Sequence, residues 1–337
     1  MRNCALAAVL FGAATPAASL IAQDMKPLVL AGLLYLGAAL AVSPWWIVRR
    51  PDPGALRRDW RPLAVAIVAG GAIGPALLTA GLVNTPAATA SLLLTMELVA
   101  TVIIAATFFR EHLGRNMLVA VALVTTAGVL LVWEPGASVN LDALFIIGAC
   151  VSWGVDNSVT SQIDQVSPQH ITFLKGTVAG TVNVTLGLIV TGAGTITGWS
   201  VLGALVVGAL GYGASITLWV RGAQQLGAAR GQVIFAAAPF IGAVISWVVL
   251  GDPVKVVQVA AMGIAAVGVG FSLRSAHEHA HRHQHLVHTH EHEHSDGHHQ
   301  HVHADGFTGR HSHTHEHAAL EHAHPHVPDL HHRHEHA

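Results

Sequence analysis

The chain is a succession of long apolar runs separated by short polar breaks. Ten runs of 18 to 23 residues can be read, at 4–22, 27–48, 62–83, 87–109, 116–133, 142–163, 169–191, 199–220, 230–250 and 254–273. Each is close to the ~20 residues a helix needs to cross about 30 Å of hydrocarbon. In lipid a helix satisfies its own backbone hydrogen bonds, so ten crossings are made as helices. The pattern predicts an all-α membrane protein with ten transmembrane helices. The first run, with Arg2 before it and Ala17, Ala18 and Ser19 near its end, also has the make-up of a signal peptide. The repeat described next argues for a retained first helix.

The second half echoes the first at an offset near 141. Phe11-Gly12 matches Trp153-Gly154, Asp24 with Pro27 matches Asp164 with Pro168, and Phe109-Arg110-Glu111 matches Leu250-Gly251-Asp252. Each half holds five helices, an odd number, so the second copy enters the membrane upside down. The expected organisation is two inverted five-helix repeats, 1–134 and 135–274, followed by a tail, 275–337. Many secondary transporters are built this way, with the substrate near mid-membrane between the halves. A duplicated scaffold that moves nothing is the plainer alternative.

Beyond residue 274 the apolar pattern stops. Of the chain's 26 histidines, 24 lie in the 61 residues from His277 to Ala337. Such a segment cannot bury a core and is expected to be disordered. Neutral imidazole is a common ligand of borderline transition metals. The alternating positions His277, His279, His281, His283, His285, His288, His290, His292 and His294 are candidate ligands, followed by His298, His299, His301, His303, His311, His313, His315 and His317. Zn²⁺, Ni²⁺, Co²⁺ and Cu²⁺ all suit them. With no fixed spacing and no packed surroundings, the expectation is several interchangeable sites of low selectivity. Glu291, Glu293, Asp296 and Glu316 would aid capture. Incidental metal binding by a low-complexity tail is the plainer reading.

Charge refines the picture. Only 11% of residues are charged, against about 25% in ordinary soluble domains. The tail, with nine acids and three arginines, carries −6 with neutral histidines; the remainder, with 14 bases and ten acids, carries +4. Neither value points to nucleic acid. With the N-terminus inside, Arg2, Arg49, Arg50, Arg57, Arg58, Arg61, Arg110, Arg115, Arg221, Arg230 and Arg274 fall on the inner side, and Lys26 and Lys255 on the outer. Eleven against two is the positive-inside bias, and it places both termini in the cytoplasm. Cys4 and Cys150 both fall in spans and read as small core residues, with no disulfide framework.

A few polar residues lie inside the runs. Glu97 is the eleventh of 23 residues in its run, where a charge costs roughly 2.5–3.5 kcal/mol and should face the bundle interior or water. A carboxyl in that position suits proton-coupled exchange; a neutral Glu hydrogen-bonded to a neighbouring helix is the structural alternative. Asp156 and Lys175 both fall ~10 Å from the inner edge at 1.5 Å per residue, on consecutive antiparallel helices, so they are expected to pair. That pair either fixes register permanently or opens when substrate or proton arrives. Asn157 and Asn183 offer neutral hydrogen bonds, and Tyr212 carries a mid-span hydroxyl. Pro16, Pro75 and Pro239 either break helices at a binding site or are tolerated kinks. Gly203, Gly208, Gly211 and Gly213 favour close helix packing, and His112 and His170 read as interfacial. No P-loop, nucleophile elbow or HExxH motif occurs, so neither an ATPase nor a hydrolase, and no enzyme, is expected.

The five-plus-five arrangement, Pro239 in AAAPFIGAVISWVVLGDPV and the fourth run ASLLLTMELVATVIIAATFFREHLG resemble the drug/metabolite transporter superfamily in its EamA-type permease branch, over about residues 4–274. Trp153 to Asn157, Leu174-Lys175-Gly176, Gly211 to Ser215 and the ending HAHPHVPDLHHRH resemble an uncharacterised bacterial group with a His-rich tail. Met96-Glu97-Leu98 departs from many relatives, which carry a proline there. The resemblance implies a multi-pass permease of the bacterial inner membrane that moves a small solute by alternating access. The residues allow two alternatives: a divalent Zn, Ni or Co transporter fed by the tail, or a membrane-anchored metal buffer or sensor. Candidate pathway residues are Glu97, Asp156, Asn157, Lys175, Tyr212 and Pro239. Expected partners are the lipid bilayer, a small-molecule or ion substrate, metal ions held by the tail, and a second copy of the chain as a homodimer.

Overall fold

A computed structural model describes residues 2–108, 114–133, 141–160, 163, 166–192, 197–219 and 234–273, and, in the tail, 277–282, 286–292, 311–317 and 321–326. Loop 134–140, Arg110, His112, Asp164, Arg221, Arg230 and Arg274 lie outside them. So do His283, His285, His294, His298, His299, His301 and His303.

Nine spans among the described residues are long and apolar enough to cross a membrane. They are α1 (Arg2–Ala22), α2 (Pro27–Val48), a third span Trp60–Gly81, a fourth Ala87–Phe108, a fifth Arg115–Val132, a sixth Leu141–Thr160, a seventh Pro168–Thr191, an eighth Gly198–Trp219 and a last Val256–Leu273. A shorter apolar helix, Ala238–Val248, stands in the ninth place along the chain. The all-α membrane architecture is therefore as the apolar runs predict. Their outward faces are greasy: Val48, Ile189 and Val256 are 79%, 74% and 87% exposed, as residues facing hydrocarbon would be.

The spans pair as an inverted duplication requires. The sixth lies against the fourth and the first against the ninth; the seventh lies against the third and the second against the eighth. Exchanging each span for its counterpart five places along turns one member of each couple into the other. The second and seventh pair with each other, as do the fifth and tenth.

Two spans leave the α-helical ladder at matched points. The third consists of α4 (Trp60–Ala66), a π-helical turn Ile67–Ile73 and α5 (Gly74–Gly81). The eighth carries a π-helical turn at Gly208–Ala214, after the helix Gly198–Val207. Each residue of the first π-turn stands 141 positions before its counterpart, the same offset that relates the sequence halves. The fourth span is interrupted at Leu94–Thr95 and the ninth at Ala236–Ala237, again near that offset.

Proline explains these irregularities in part. Pro239 follows the ninth-span break and Pro75 follows the first π-turn. The fourth span breaks without one. Pro16 lies inside an unbroken first helix, so it is a tolerated residue. Gly208 is required by packing, since a Cβ there would meet the Leu34 carbonyl oxygen at 1.9 Å. Gly203 has ordinary room, with Ile21 at 3.4 Å.

The short helix α3 (Pro53–Arg58) links the second and third spans. Asp52 caps it, its carboxylate accepting from the Gly54 and Ala55 amides at 3.0 and 3.2 Å. Ala55 and Leu63 bury against Ile163 and Val166 from the segment joining the sixth and seventh spans and against Ile171 at the start of the seventh. His170 ties the same region. Its Nδ1 lies 2.9 Å from the Ser167 hydroxyl, its Nε2 bonds the Arg49 carbonyl, and its ring stands edge-on to Trp46. It is buried, so it is a structural tie here, where the sequence leaves it at the interface.

The tail forms a separate unit. Its described residues are β1 (His277–Arg282), β2 (Leu286–His292), β3 (His311–His317) and β4 (Glu321–His326), paired antiparallel as β1 with β4 and β2 with β3. A two-stranded ladder alone is marginal in water.

Candidate transport site

The first π-turn is where polar groups of four spans meet. At its end the Gly74 amide reaches back five residues to Ala69, and the next residue, Pro75, has no N–H to give. The Gly70 carbonyl thus loses the ladder donors a regular helix would supply. Two side chains replace them: the Tyr35 hydroxyl donates to it at 2.5 Å from the second span, and the Trp153 indole at 3.1 Å from the sixth. Asn183, on the seventh span, donates to the Ala72 carbonyl at 3.0 Å. Buried carbonyls require such partners, and here the partners fasten three helices to one turn.

Glycine makes the approach close. A Cβ on Gly70 would stand 2.0 Å from Asp156 Oδ2, and one on Gly74 would stand 2.7 Å from the Trp153 indole nitrogen. Asp156 is buried and forms an ion pair with Lys175, whose side chain is 15% exposed. The Thr160 hydroxyl, one helical turn on, donates to the other Asp156 oxygen at 3.0 Å. The expected Asp156–Lys175 pairing is thus the geometry of the protein. Desolvating two charges is costly and is offset only when their remaining atoms are also bonded, which Thr160 does for Asp156.

Glu97 occupies the first turn of the helix Met96–Phe108, just past the fourth-span break. Around the break the amides of Thr95, Glu97 and Leu98 bond three residues back, each at 3.1 Å. Because the Glu97 amide turns to Leu94, the Leu93 carbonyl loses the donor a regular helix would give it, and the Cys150 thiol supplies one at 3.6 Å. The Glu97 carboxylate sits at a helix N-terminus, where a negative charge is favoured, and accepts from the Asn157 amide at 2.7 Å. Glu97 is half-buried and Asn157 is exposed, so this pair is the more accessible part of the cluster. The charges of Asp156 and Lys175 both act on it.

Tyr212 lies in the second π-turn, buried, with its ring 5.7 Å from Tyr35 and 5.8 Å from Phe11. Phe11 in turn meets Phe235 at 5.3 Å. The structure therefore gathers Glu97, Asp156, Asn157, Lys175 and Asn183 with Tyr212 nearby. Pro239 stands apart from the charges, lining a small recess with Phe11, Gly12, Thr15, Ser91, Leu94 and Ala238.

Sequence reasoning missed Tyr35, Trp153, Gly70, Thr160 and the role of Cys150. The chain has only two tyrosines, both at this centre, and their mid-span hydroxyls were the available signal.

The sequence profile of the EamA-like transporter family matches residues 3–133 and again 141–274. The chain belongs to the EamA-like transporter family. The two matches fall one on each five-span half and leave the tail outside. An uncharacterized transporter of Methanothermobacter thermautotrophicus is 25% identical over 210 residues, 60% of this chain and 61% of that protein. The alignment thus spans less than two thirds of that relative. One protein of known crystal structure superposes with a TM-score of 0.58 over 80% of this chain and 94% of its own, at 17% identity. That likeness shows the fold. This EamA-family protein is a multi-pass membrane protein, and its family architecture surrounds the charged cluster just described.

Proposed function

We propose that this EamA-family protein is a secondary permease that moves a small solute by alternating access, with Glu97 taking up and releasing the coupling proton. The observation that carries the reading is the half-buried Glu97 carboxylate at a helix break, bonded to Asn157 beside the Asp156–Lys175 pair. Intramembrane ionisable groups of this kind mark transport pathways. Broken helices and loosened turns at repeat-related positions are where such proteins bind cargo. The permease resides in the bacterial inner membrane, and the eleven-to-two distribution of basic residues supports an orientation with both termini in the cytoplasm.

The His-rich tail binds divalent transition metals on the cytoplasmic side and gates transport or collects metal there. A homodimer is compatible with the bilayer setting. The cluster consists of an ion pair, a carboxylate, amides, hydroxyls and carbonyls, which suits an organic solute better than a naked transition metal. The test is a solute screen in proteoliposomes with an imposed pH gradient, with Zn²⁺ or Ni²⁺ varied inside and out. The expected result is gradient-driven flux that Glu97→Gln abolishes. Flux that persists unchanged in Glu97→Gln, or no flux of any solute, would sink the reading.

A further inference from the structure

The groups around the first π-turn are an unbalanced set. The Gly70 and Ala72 carbonyls and the Asp156 and Glu97 carboxylates are acceptors. Among the described residues of this set, the cation is Lys175. Gly70, Ala72 and Asp156 are each held by a donor from a neighbouring span: Tyr35 with Trp153, Asn183, and Lys175. The Lys175 ammonium occupies the place a ligand's ammonium would take, on the Asp156 carboxylate oxygen that packs against Gly70. The Tyr35 and Tyr212 rings lie 5.7 Å apart at the same centre, and aromatic faces attract cations.

Charge arithmetic then constrains the cargo. Net charge in a low-dielectric setting is expensive, so the occupied and empty states should both be close to neutral. With Glu97 protonated, the Asp156–Lys175 pair leaves the cluster at zero. With Glu97 ionised, Lys175 can compensate it, and Asp156 is left to bind one external cation, again at zero. A zwitterion would leave Glu97 protonated and would bring its own carboxylate against the Asp156 and Glu97 acceptors. An anion would need an extra proton to enter.

We infer that Asp156 is the docking point for the ammonium group of an organic amine, that Lys175 is its resident stand-in, and that one amine cation exchanges for one proton. This rests on the permease reading above. The proton leaves the Glu97 carboxyl for water, and Lys175 stays protonated and turns from Asp156 to Glu97. The titratable groups whose charge interacts with that of Glu97 are Asp156 and Cys150 on the sixth span, Lys175 on the seventh, Tyr35 on the second and Tyr212 on the eighth.

Three probes with one ring separate the charge classes: tyramine, tyrosine and 4-hydroxyphenylacetate. With the full chain in detergent, tyramine should raise the thermal unfolding midpoint and release one proton per molecule bound into weakly buffered medium. Tyrosine and 4-hydroxyphenylacetate should do neither. Glu97→Gln should weaken tyramine binding about tenfold or more, the equivalent of 1.4 kcal/mol, and release no proton. The double variant Asp156→Asn with Lys175→Met keeps the cluster uncharged, stays monodisperse on size exclusion, and should lose the tyramine effect. Unchanged tyramine stabilisation in that double variant would overturn the assignment. So would stabilisation by tyrosine or 4-hydroxyphenylacetate in place of tyramine, binding without proton release, or no response to tyramine or to cyclohexylamine. In proteoliposomes, Glu97-dependent flux of tyrosine or 4-hydroxyphenylacetate overturns the amine while leaving the permease reading intact. Tyramine binding with proton release but no flux overturns the exchange and that reading together.

Discussion

The crossing of the sixth span with the fourth and the crossing of the first with the ninth occupy equivalent places in the two repeats, but they are chemically opposite. At an offset of 141, Asp156 corresponds to Thr15, Glu97 to Ala238 and Lys175 to Leu34, none of which is charged. The backbone events survive the change. Both partner spans are interrupted, and both neighbouring spans carry a π-turn. At the second crossing the helices simply touch: a Cβ on Gly12 would meet the Ala238 carbonyl oxygen at 2.5 Å. The duplicated scaffold therefore supplies the irregular turns twice, and the charges were added once. The irregular turns belong to the shared fold, and the charges set one crossing apart from its counterpart.

Substitutions that erase or copy this asymmetry test it. The largest effect should come from leaving one buried charge alone. Asp156→Asn or Lys175→Met singly should cost about 3–5 kcal/mol, seen as a lower unfolding midpoint and poor recovery from the membrane, and the double variant should restore folding. Thr15→Asp, at the counterpart position, puts an uncompensated acid at a crossing with no lysine and should also fail to fold. Next comes Gly70→Ala, whose methyl would push the Asp156 carboxylate from its seat; about 1–3 kcal/mol is expected, with loss of flux.

Glu97→Gln should leave the unfolding midpoint nearly unchanged, because the amide still bonds Asn157, while abolishing the response of flux to a pH gradient. Tyr35→Phe should be mild, about 0.5–1.5 kcal/mol, since Trp153 still donates to the Gly70 carbonyl. Removing residues 277–337 should leave the unfolding midpoint of the membrane unit unchanged and abolish retention of Zn²⁺ or Ni²⁺ in equilibrium dialysis.

Much of this asymmetry was legible beforehand. Apolar length alone gives the spans, because lipid leaves the backbone few options. The Asp156–Lys175 pair was legible too, because equal depth on consecutive antiparallel helices can be counted from the sequence. The Glu97–Asn157 bond was not, since the fourth and sixth spans are distant along the chain and only the fold brings them together. The fourth-span break was hidden for a different reason. It has no proline and is held open by short local bonds around Thr95 and by the Cys150 thiol, which composition marks only as a small core residue. The π-turn at Gly70 was half-visible. Pro75 marks a candidate helix breaker in the sequence, but the released carbonyl depends on Tyr35 and Trp153 from other spans. Pro16 shows the converse, a proline in an intact helix.

The central claim is that proton coupling runs through the charged crossing and not through its uncharged counterpart. It is tested most directly by pH-gradient-driven flux in proteoliposomes carrying wild type, Glu97→Gln, or Glu97→Ala combined with Ala238→Glu. The account predicts gradient-driven flux in the wild type alone, because a carboxyl moved to the counterpart crossing has no Asp156, Lys175 or Asn157 beside it. Gradient-driven flux that survives in Glu97→Gln, or that the carboxyl at position 238 restores, would contradict it.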